Sequence, residues 1–154
     1  MSGKYETRLA ELGVTLPDAP APAANYVPYV IVGDMVYVSG QISQDADGRI
    51  NGKLGDDFTV EQGQAAAKTC AINLMAQLKA ACDGDLDRLV QVVKLGGFVN
   101  CTPDFADHPK VINGASDFIG EVFGNAGKHA RAAVGSSSLP LGVAVEIEGI
   151  FQIK

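Results

Sequence analysis

The stretch Arg131-Ala-Ala-Val-Gly-Ser-Ser-Ser-Leu139-Pro140, which leads into Val143-Ala-Val-Glu146-Ile-Glu148-Gly-Ile150, decides the fold of this 154-residue chain. Its β-branched residues on both sides of a Pro/Gly segment are typical of two strands joined by a turn. Arg131 begins the first strand among alanines and valines. A guanidinium is costly to bury in a dry core, so we expect Arg131 to face a cleft or a partner chain.

Alternation in the second strand divides its side chains between two faces. Glu146 and Glu148 share one face. The other face is apolar and carries Val143, Val145, Ile147, Phe151 and Ile153. We therefore expect the apolar face to pack on the core, and a partner subunit is a candidate to cover the semi-polar face.

Upstream of this stretch, a strand hairpin and a helix are predicted. Tyr29-Val-Ile-Val and Met35-Val-Tyr-Val-Ser39 flank a turn at Gly33-Asp34, and a second, smaller hairpin is possible at Asp47-Gly48. Thr59 with Gln62 three residues later forms a capping-box signature for a helix that ends by Gly84. The core-facing stripe of this helix recurs every fourth residue, at Ala66, Cys70, Leu74 and Leu78.

A long strand and a second helix come next. Leu89 to Asn100 is rich in valine and leucine, and its Gly96-Gly97 pair predicts a bulge or a close backbone approach. Pro109 is tolerated in the first turn of a helix, and we expect that helix to end at Gly124. The predicted fold is α+β in the order ββ-α-β-α-ββ, with both helices on one face of a mixed sheet.

The N-terminal region differs in composition from the rest. Residues 4 to 13 fit a short amphipathic helix, and residues 17 to 24 (Pro-Asp-Ala-Pro-Ala-Pro-Ala-Ala) fit an extended connector. We divide the chain into residues 1–21, the helix and connector, and residues 22–154, the main domain.

The bulk composition restricts the partners. Charged residues make up only 19% of the chain, which favours an oligomer that hides part of its surface. A net charge of −6 without a cluster of Lys and Arg disfavours nucleic acid. Three separated cysteines, no signal peptide and no long apolar run indicate a cytoplasmic protein without disulfides or a membrane span.

Two motifs with possible chemistry are rejected. Gly124-Asn-Ala-Gly127-Lys128 lacks the first glycine of a phosphate-binding loop, and His129 stands where that loop needs Ser or Thr. Ser136, Ser137 and Ser138 lack the surroundings of a nucleophile elbow. Two histidines are too few for a metal centre, so we expect His108 and His129 to lie at the surface or cap helices.

Arg131 leaves two interpretations open. One is a structural ion pair with Glu146 or Glu148 across neighbouring strands. The other is a bidentate clamp on a substrate carboxylate, for which the planar guanidinium is suited, with a glutamate nearby to handle water or a proton.

Ala130-Arg131-Ala-Ala-Val134, Leu139-Pro140 and Val145-Glu146-Ile147-Glu148 resemble the signature of the RidA/YjgF family of reactive-intermediate deaminases. Tyr26-Val27 through Gly33-Asp34-Met35 to Ser39-Gly40-Gln41 resembles the opening hairpin of that family. The resemblance implies a chorismate-mutase-like fold and a homotrimer with three clefts between subunits. It also implies hydrolysis of enamines and imines such as 2-aminoacrylate to 2-oxo acids and ammonia, without metal or cofactor.

Carried over by position, the resemblance assigns roles to six residues. Arg131 would bind the substrate carboxylate, and Glu146 would position the attacking water. The cleft-lining positions are Tyr26, Gly40, Asn113 and Ala133. The chain departs from the family pattern at His129, where the family has Pro, at Ser136, where it has Val, and at Ala133, where a Cys is common.

Three functions therefore compete. The first is hydrolytic deamination of small enamine or imine carboxylates. The second is a non-catalytic sensor or binding protein for a small carboxylate in the same cleft. The third, endoribonuclease or translation-inhibitor activity, is disfavoured by the acidic charge balance.

Overall fold

A mixed five-stranded sheet is the centre of the fold in the computed structural model, which describes residues 3–22 and 24–154. The strands are β1 (Tyr29–Val32), β2 (Met35–Ile42), β3 (Gln44–Asp45), β4 (Gly48–Arg49), β5 (Leu89–Asn100), β6 (Ala130–Ser136) and β7 (Val145–Ile153). The main sheet has the order β1-β2-β7-β5-β6, and β3 and β4 form the small separate hairpin. Only the β5–β6 pair is parallel among the described strand pairs. The predicted order of elements is confirmed.

In the described residues, three α-helices accompany the sheet: α1 (Lys4–Glu11), α2 (Val60–Ala81) and α3 (His108–Phe123). The capping box that begins α2 is complete, because the Gln62 amide donates to Thr59 Oγ1 at 3.1 Å and the Thr59 amide donates to Gln62 Oε1 at 2.8 Å. The predicted stripe of α2 is fully buried. The helix ends three residues before Gly84, since both Asp83 and Gly84 adopt positive φ.

Glycines set how closely the helices approach each other and the sheet. A Cβ on Gly114 would lie 2.1 Å from the Gln64 carbonyl oxygen, so only glycine allows α3 to pack this tightly on α2. A Cβ on Gly97 would lie 2.7 Å from Ile112 of α3. Of the two predictions for the Gly96-Gly97 pair, close approach is therefore correct, and the register shifts of β5 lie nearer its start, before Gln91 and before Lys94.

The N-terminal helix packs into the same core as the main domain. The rings of Tyr5 and Phe123 meet edge to face at 4.8 Å, and the Asp87 carboxylate accepts from the Lys4 backbone amide at 3.1 Å. The division at residues 21 and 22 stays a prediction, and Ala23 of the connector lies outside the described residues. Within the described part of the chain, no helix is both long and apolar enough to cross a membrane.

The sheet presents one face to the helices and leaves the other accessible in a single chain. We call the second surface the open face and define it by Val30, Tyr37, Phe98, Val134, Glu146, Glu148 and Ile150. Val30, Tyr37 and Val134 are each nearly half exposed, at 46–47%. Val30 and Tyr37 are cross-strand neighbours, and exposed apolar side chains that adjoin in this way are typical of an interaction surface.

Candidate functional site

Arg131 lies on the helix side of the edge strand β6. It is in register with Leu95, which is buried under the helices, whereas its neighbours Ala130 and Ala132 point to the opposite side. Its Nη1 donates to Asn113 Oδ1 at 2.9 Å and to Ser116 Oγ at 3.1 Å. Its Nη2 donates to the Pro109 carbonyl oxygen at 3.4 Å. The first nine residues of α3 thus hold the guanidinium in place.

These contacts leave part of the guanidinium available. Arg131 has five N–H donors, and three of them are engaged by α3. The Nε–H and one N–H of Nη2 have no partner among the residues that the structure describes. Two donors on one planar group fit the two oxygens of a carboxylate, so the arginine is prepared for a bidentate ligand.

A hydrogen-bonded chain continues from Arg131 through Ser116 to His129. Ser116 Oγ lies 2.8 Å from His129 Nε2, and His129 Nδ1 lies 2.6 Å from the Gly127 carbonyl oxygen. Because a carbonyl oxygen only accepts, Nδ1 carries a proton, and in the neutral ring Nε2 then accepts from the Ser116 hydroxyl. His129 is half-buried, and its bond to the carbonyl of Gly127 caps the 3₁₀ helix Gly124–Gly127, as expected of a helix-capping residue. Its support of Ser116, which holds Arg131, was not expected.

Glu146 lies on the open face, away from Arg131. It is in register with Ile42 of β2 and Phe98 of β5. A Cβ on Gly40 would be 2.9 Å from Glu146 Oε2, so the missing side chain makes room for the carboxyl group. Burial, and secondarily the nearby Glu148 carboxylate, raises the pKa of Glu146 above its usual range. Glu148 is exposed, so Glu146 is the glutamate placed beside the cleft residue Gly40.

A cleft of about 350 Å³ opens next to Gly40. Tyr26, Ile42, Arg49 and Leu141 also line it, together with the proline-rich connector, which forms one wall. The connector is attached to α2, because the Nε2 of the buried Gln77 donates to the Pro20 carbonyl oxygen at 2.6 Å. The N-terminal extension thus forms part of the cleft wall.

The six predicted site residues fall into two groups in one chain. Arg131 and Asn113 are bonded to each other, and Ala133 follows two residues later on the same side of β6. Tyr26 and Gly40 line the cleft, and Glu146 adjoins Gly40. Arg131 and Glu146 lie on opposite faces of the sheet. A structural ion pair between Arg131 and Glu146 or Glu148 of the same chain is therefore wrong.

Sequence reasoning missed three residues near these groups. Ser116 and His129 support Arg131, and Arg49 adds a cation to the cleft. The spacing of Asn113 and Ser116, three residues apart on one helix, was the available signal, because such residues share a helix face. Nothing in the sequence showed which strand that face meets.

The raised pKa of Glu146 predicts a pH dependence of stability. A carboxyl whose pKa is higher in the folded state stabilises the fold fully below its unfolded pKa, and this contribution is lost as pH rises through the folded pKa. Between the unfolded and the folded pKa of Glu146, the unfolding free energy should decrease less steeply with rising pH in Glu146→Gln than in the wild type. Urea titrations at successive pH values measure this slope. Glu121→Gln, on the exposed surface of α3, is the control and should keep the wild-type slope. An unchanged slope in Glu146→Gln would contradict the assignment.

The mixed sheet with strand order β1-β2-β7-β5-β6, covered on one face by the two long helices α2 and α3, has the architecture of the chorismate-mutase-like fold. The family described as "YjgF/chorismate mutase-like, putative endoribonuclease" matches residues 6–148. The chain belongs to this family, which confirms the resemblance and the predicted fold.

Individual relatives extend the match over nearly the whole chain. Protein TCP17 of Trypanosoma cruzi is 49% identical over 99% of this chain and 96% of its own length. The crystal structure of Atu1372 from Agrobacterium tumefaciens, a protein of unknown function, is 48% identical with a TM-score of 0.91, covering 97% of this chain and 92% of that one. A 2-iminobutanoate/2-iminopropanoate deaminase of Dermatophagoides farinae is 30% identical over 92% of this chain and 95% of its own.

Proposed function

We propose that this chain forms a homotrimer that hydrolyses small enamine and imine carboxylates to 2-oxo acids and ammonia. The observation that carries the proposal is the placement of two complementary groups on opposite faces of one sheet. Arg131 offers two free donors on the helix side, and Glu146 offers a half-buried carboxyl group on the open face. A single site can contain both only if two chains supply them.

Hydrolysis of an enamine or imine needs few catalytic groups. An enamine such as 2-aminoacrylate is first protonated at its terminal carbon and loses a proton from nitrogen, which gives the imine. Water then adds across the C=N bond: its oxygen bonds to carbon and one of its protons goes to nitrogen. The resulting carbinolamine passes its hydroxyl proton to nitrogen and loses ammonia as the carbonyl forms. Arg131 would orient the substrate through its carboxylate, and Glu146 would take the proton from water and deliver it to nitrogen.

The properties of the two groups support these roles. Asn113 fixes the orientation of the Arg131 guanidinium, so this group can bind a carboxylate without rearranging. A carboxyl group with a raised pKa is a better proton acceptor than an ordinary one and gives up the proton nearer to neutral pH. The relative named 2-iminobutanoate/2-iminopropanoate deaminase supports this substrate class.

The test is the hydrolysis of 2-iminopropionate and 2-iminobutyrate, generated by an amino-acid oxidase, with and without the purified protein. We expect acceleration over the spontaneous reaction for these substrates and none for an imine without a carboxylate. Equal acceleration of both kinds of imine would contradict the carboxylate clamp. No acceleration by a folded oligomer that still binds 2-oxobutyrate in calorimetry would indicate the sensor function instead, and no binding either would overturn the proposed site.

A further inference from the structure

Arg131 is supported by hydrogen bonds to Asn113 and Ser116, and a further hydrogen bond links Ser116 to His129. Asn113 and Ser116 lie one turn apart on α3 and accept the two N–H groups of Nη1. The serine is bonded in turn to His129, which a backbone carbonyl holds in a fixed tautomer. Arg131 and His129 belong to the same short segment of chain, yet they are linked through a side chain of α3.

The direction of each hydrogen bond explains why the histidine matters. A serine within a helix tends to donate its hydroxyl proton to a carbonyl three or four residues earlier. His129 Nε2 offers a competing acceptor at 2.8 Å and draws the Ser116 proton towards β6. This bond keeps Ser116 Oγ beside β6, where it accepts from Arg131 Nη1 at 3.1 Å.

Burial increases the cost of losing any one of these hydrogen bonds. Ser116, His129 and Arg131 are all half-buried, so solvent is only partly able to replace a lost partner. Without the acceptor on His129, the Ser116 side chain is expected to rotate until its hydroxyl donates to a backbone carbonyl of α3. Arg131 Nη1 then keeps Asn113 as its remaining partner. The guanidinium gains freedom to rotate, and the two donors reserved for a ligand are no longer aimed in one direction.

We propose that Ser116 and His129 are positioning residues, which act on the substrate carboxylate through Arg131 and set its affinity. This proposal rests on the proposed function, since it assigns regulation of the same carboxylate clamp. His129 Nε2 is the acceptor that keeps the Ser116 hydroxyl directed towards β6, at 2.8 Å.

The test uses two substitutions of His129 that differ in which ring nitrogen the new side chain can replace. In His129→Gln the side-chain oxygen can take the place of Nε2 and accept from Ser116. In His129→Asn the shorter amide can replace only Nδ1, towards the Gly127 carbonyl. Ser116→Ala removes the bond to Arg131, and Thr69→Ala, which removes a half-buried hydroxyl of α2, is the matched control.

The readouts are the KM for 2-iminobutyrate, the kcat, and the Kd for 2-oxobutyrate by calorimetry. We expect Ser116→Ala and His129→Asn to raise KM and Kd about tenfold with kcat changed less than about twofold, whereas His129→Gln and the control stay near wild type. In an Arg131→Ala background, His129→Asn should weaken binding no further, because its effect passes through the arginine.

The outcomes separate this inference from the proposed function. If Arg131→Ala weakens 2-oxobutyrate binding but His129→Asn and His129→Gln behave alike, the positioning role is overturned and the clamp stands. Additive effects of the His129 and Arg131 substitutions would also overturn it, because the histidine would then act independently. If Arg131→Ala leaves binding unchanged, the carboxylate clamp itself fails. Thermal unfolding of each variant confirms that the comparison is made between folded proteins.

Discussion

Co-expression of an Arg131→Ala chain with a Glu146→Gln chain is expected to restore about a quarter of the activity that each variant has lost. Alone, Arg131→Ala should lower kcat/KM about a hundredfold or more, because the substrate carboxylate loses its charged partner. Glu146→Gln should lower it by about two to four orders of magnitude, which is the usual contribution of a general acid or base. Both values are measured with 2-iminobutyrate.

The recovery follows from the faces on which the two residues lie. Glu146 shares the open face with Phe98, and Arg131 lies on the helix side with Leu95. Each cleft would combine the arginine of one subunit with the glutamate of the next. With random mixing, about half of the clefts receive an intact arginine and half of those an intact glutamate, so about one cleft in four is complete.

Two controls make the result decisive. A chain that carries both substitutions, co-expressed with the Arg131→Ala chain, can form no complete cleft and should recover nothing. Differently tagged chains purified in tandem show that mixed oligomers have formed. Mixed oligomers without recovered activity would mean that the two residues do not meet across an interface, and the proposed location of the site would be wrong.

The fold was largely predictable because its signals are local. The capping box at Thr59, the four-residue stripe of α2 and the alternation in β7 each report the environment of one element, and the structure has all three. Where the sequence offered two readings, at Gly96-Gly97, the answer depended on α3, which lies across the sheet. Local patterns cannot select between outcomes that a distant element decides.

The candidate site was predictable only as a set of residue types. Arg131 was identified because a guanidinium in an apolar strand needs a partner, but its partners Asn113 and Ser116 come from a helix 15 to 18 residues away in sequence. The role of His129 was missed for the same reason, since its acceptor atom matters only once α3 brings Ser116 beside β6. Tertiary packing, and not propensity, places such contacts.

Replacement of Ile150 by aspartate is expected to dissociate the oligomer and remove its activity with it. Ile150 lies on β7 at the centre of the sheet, in register with Tyr37 on one side and Lys94 on the other. In a separate chain the new carboxylate would face Lys94, a favourable cross-strand pair, so the protomer should still fold. In an assembly that covers the open face, each chain would instead bury a charge at a cost of several kcal/mol.

Sedimentation and activity at matched concentrations test this expectation. We expect monomers of Ile150→Asp with native circular dichroism and a loss of imine hydrolysis of about a hundredfold or more, because clefts between subunits vanish with the assembly. Ala65→Asp, an apolar-to-acid change on the exposed side of α2, should leave both properties intact. A stable, fully active trimer of Ile150→Asp would show that the chains associate through another surface. Monomers that keep full activity would show instead that one chain holds a complete site, which the opposite placement of Arg131 and Glu146 argues against.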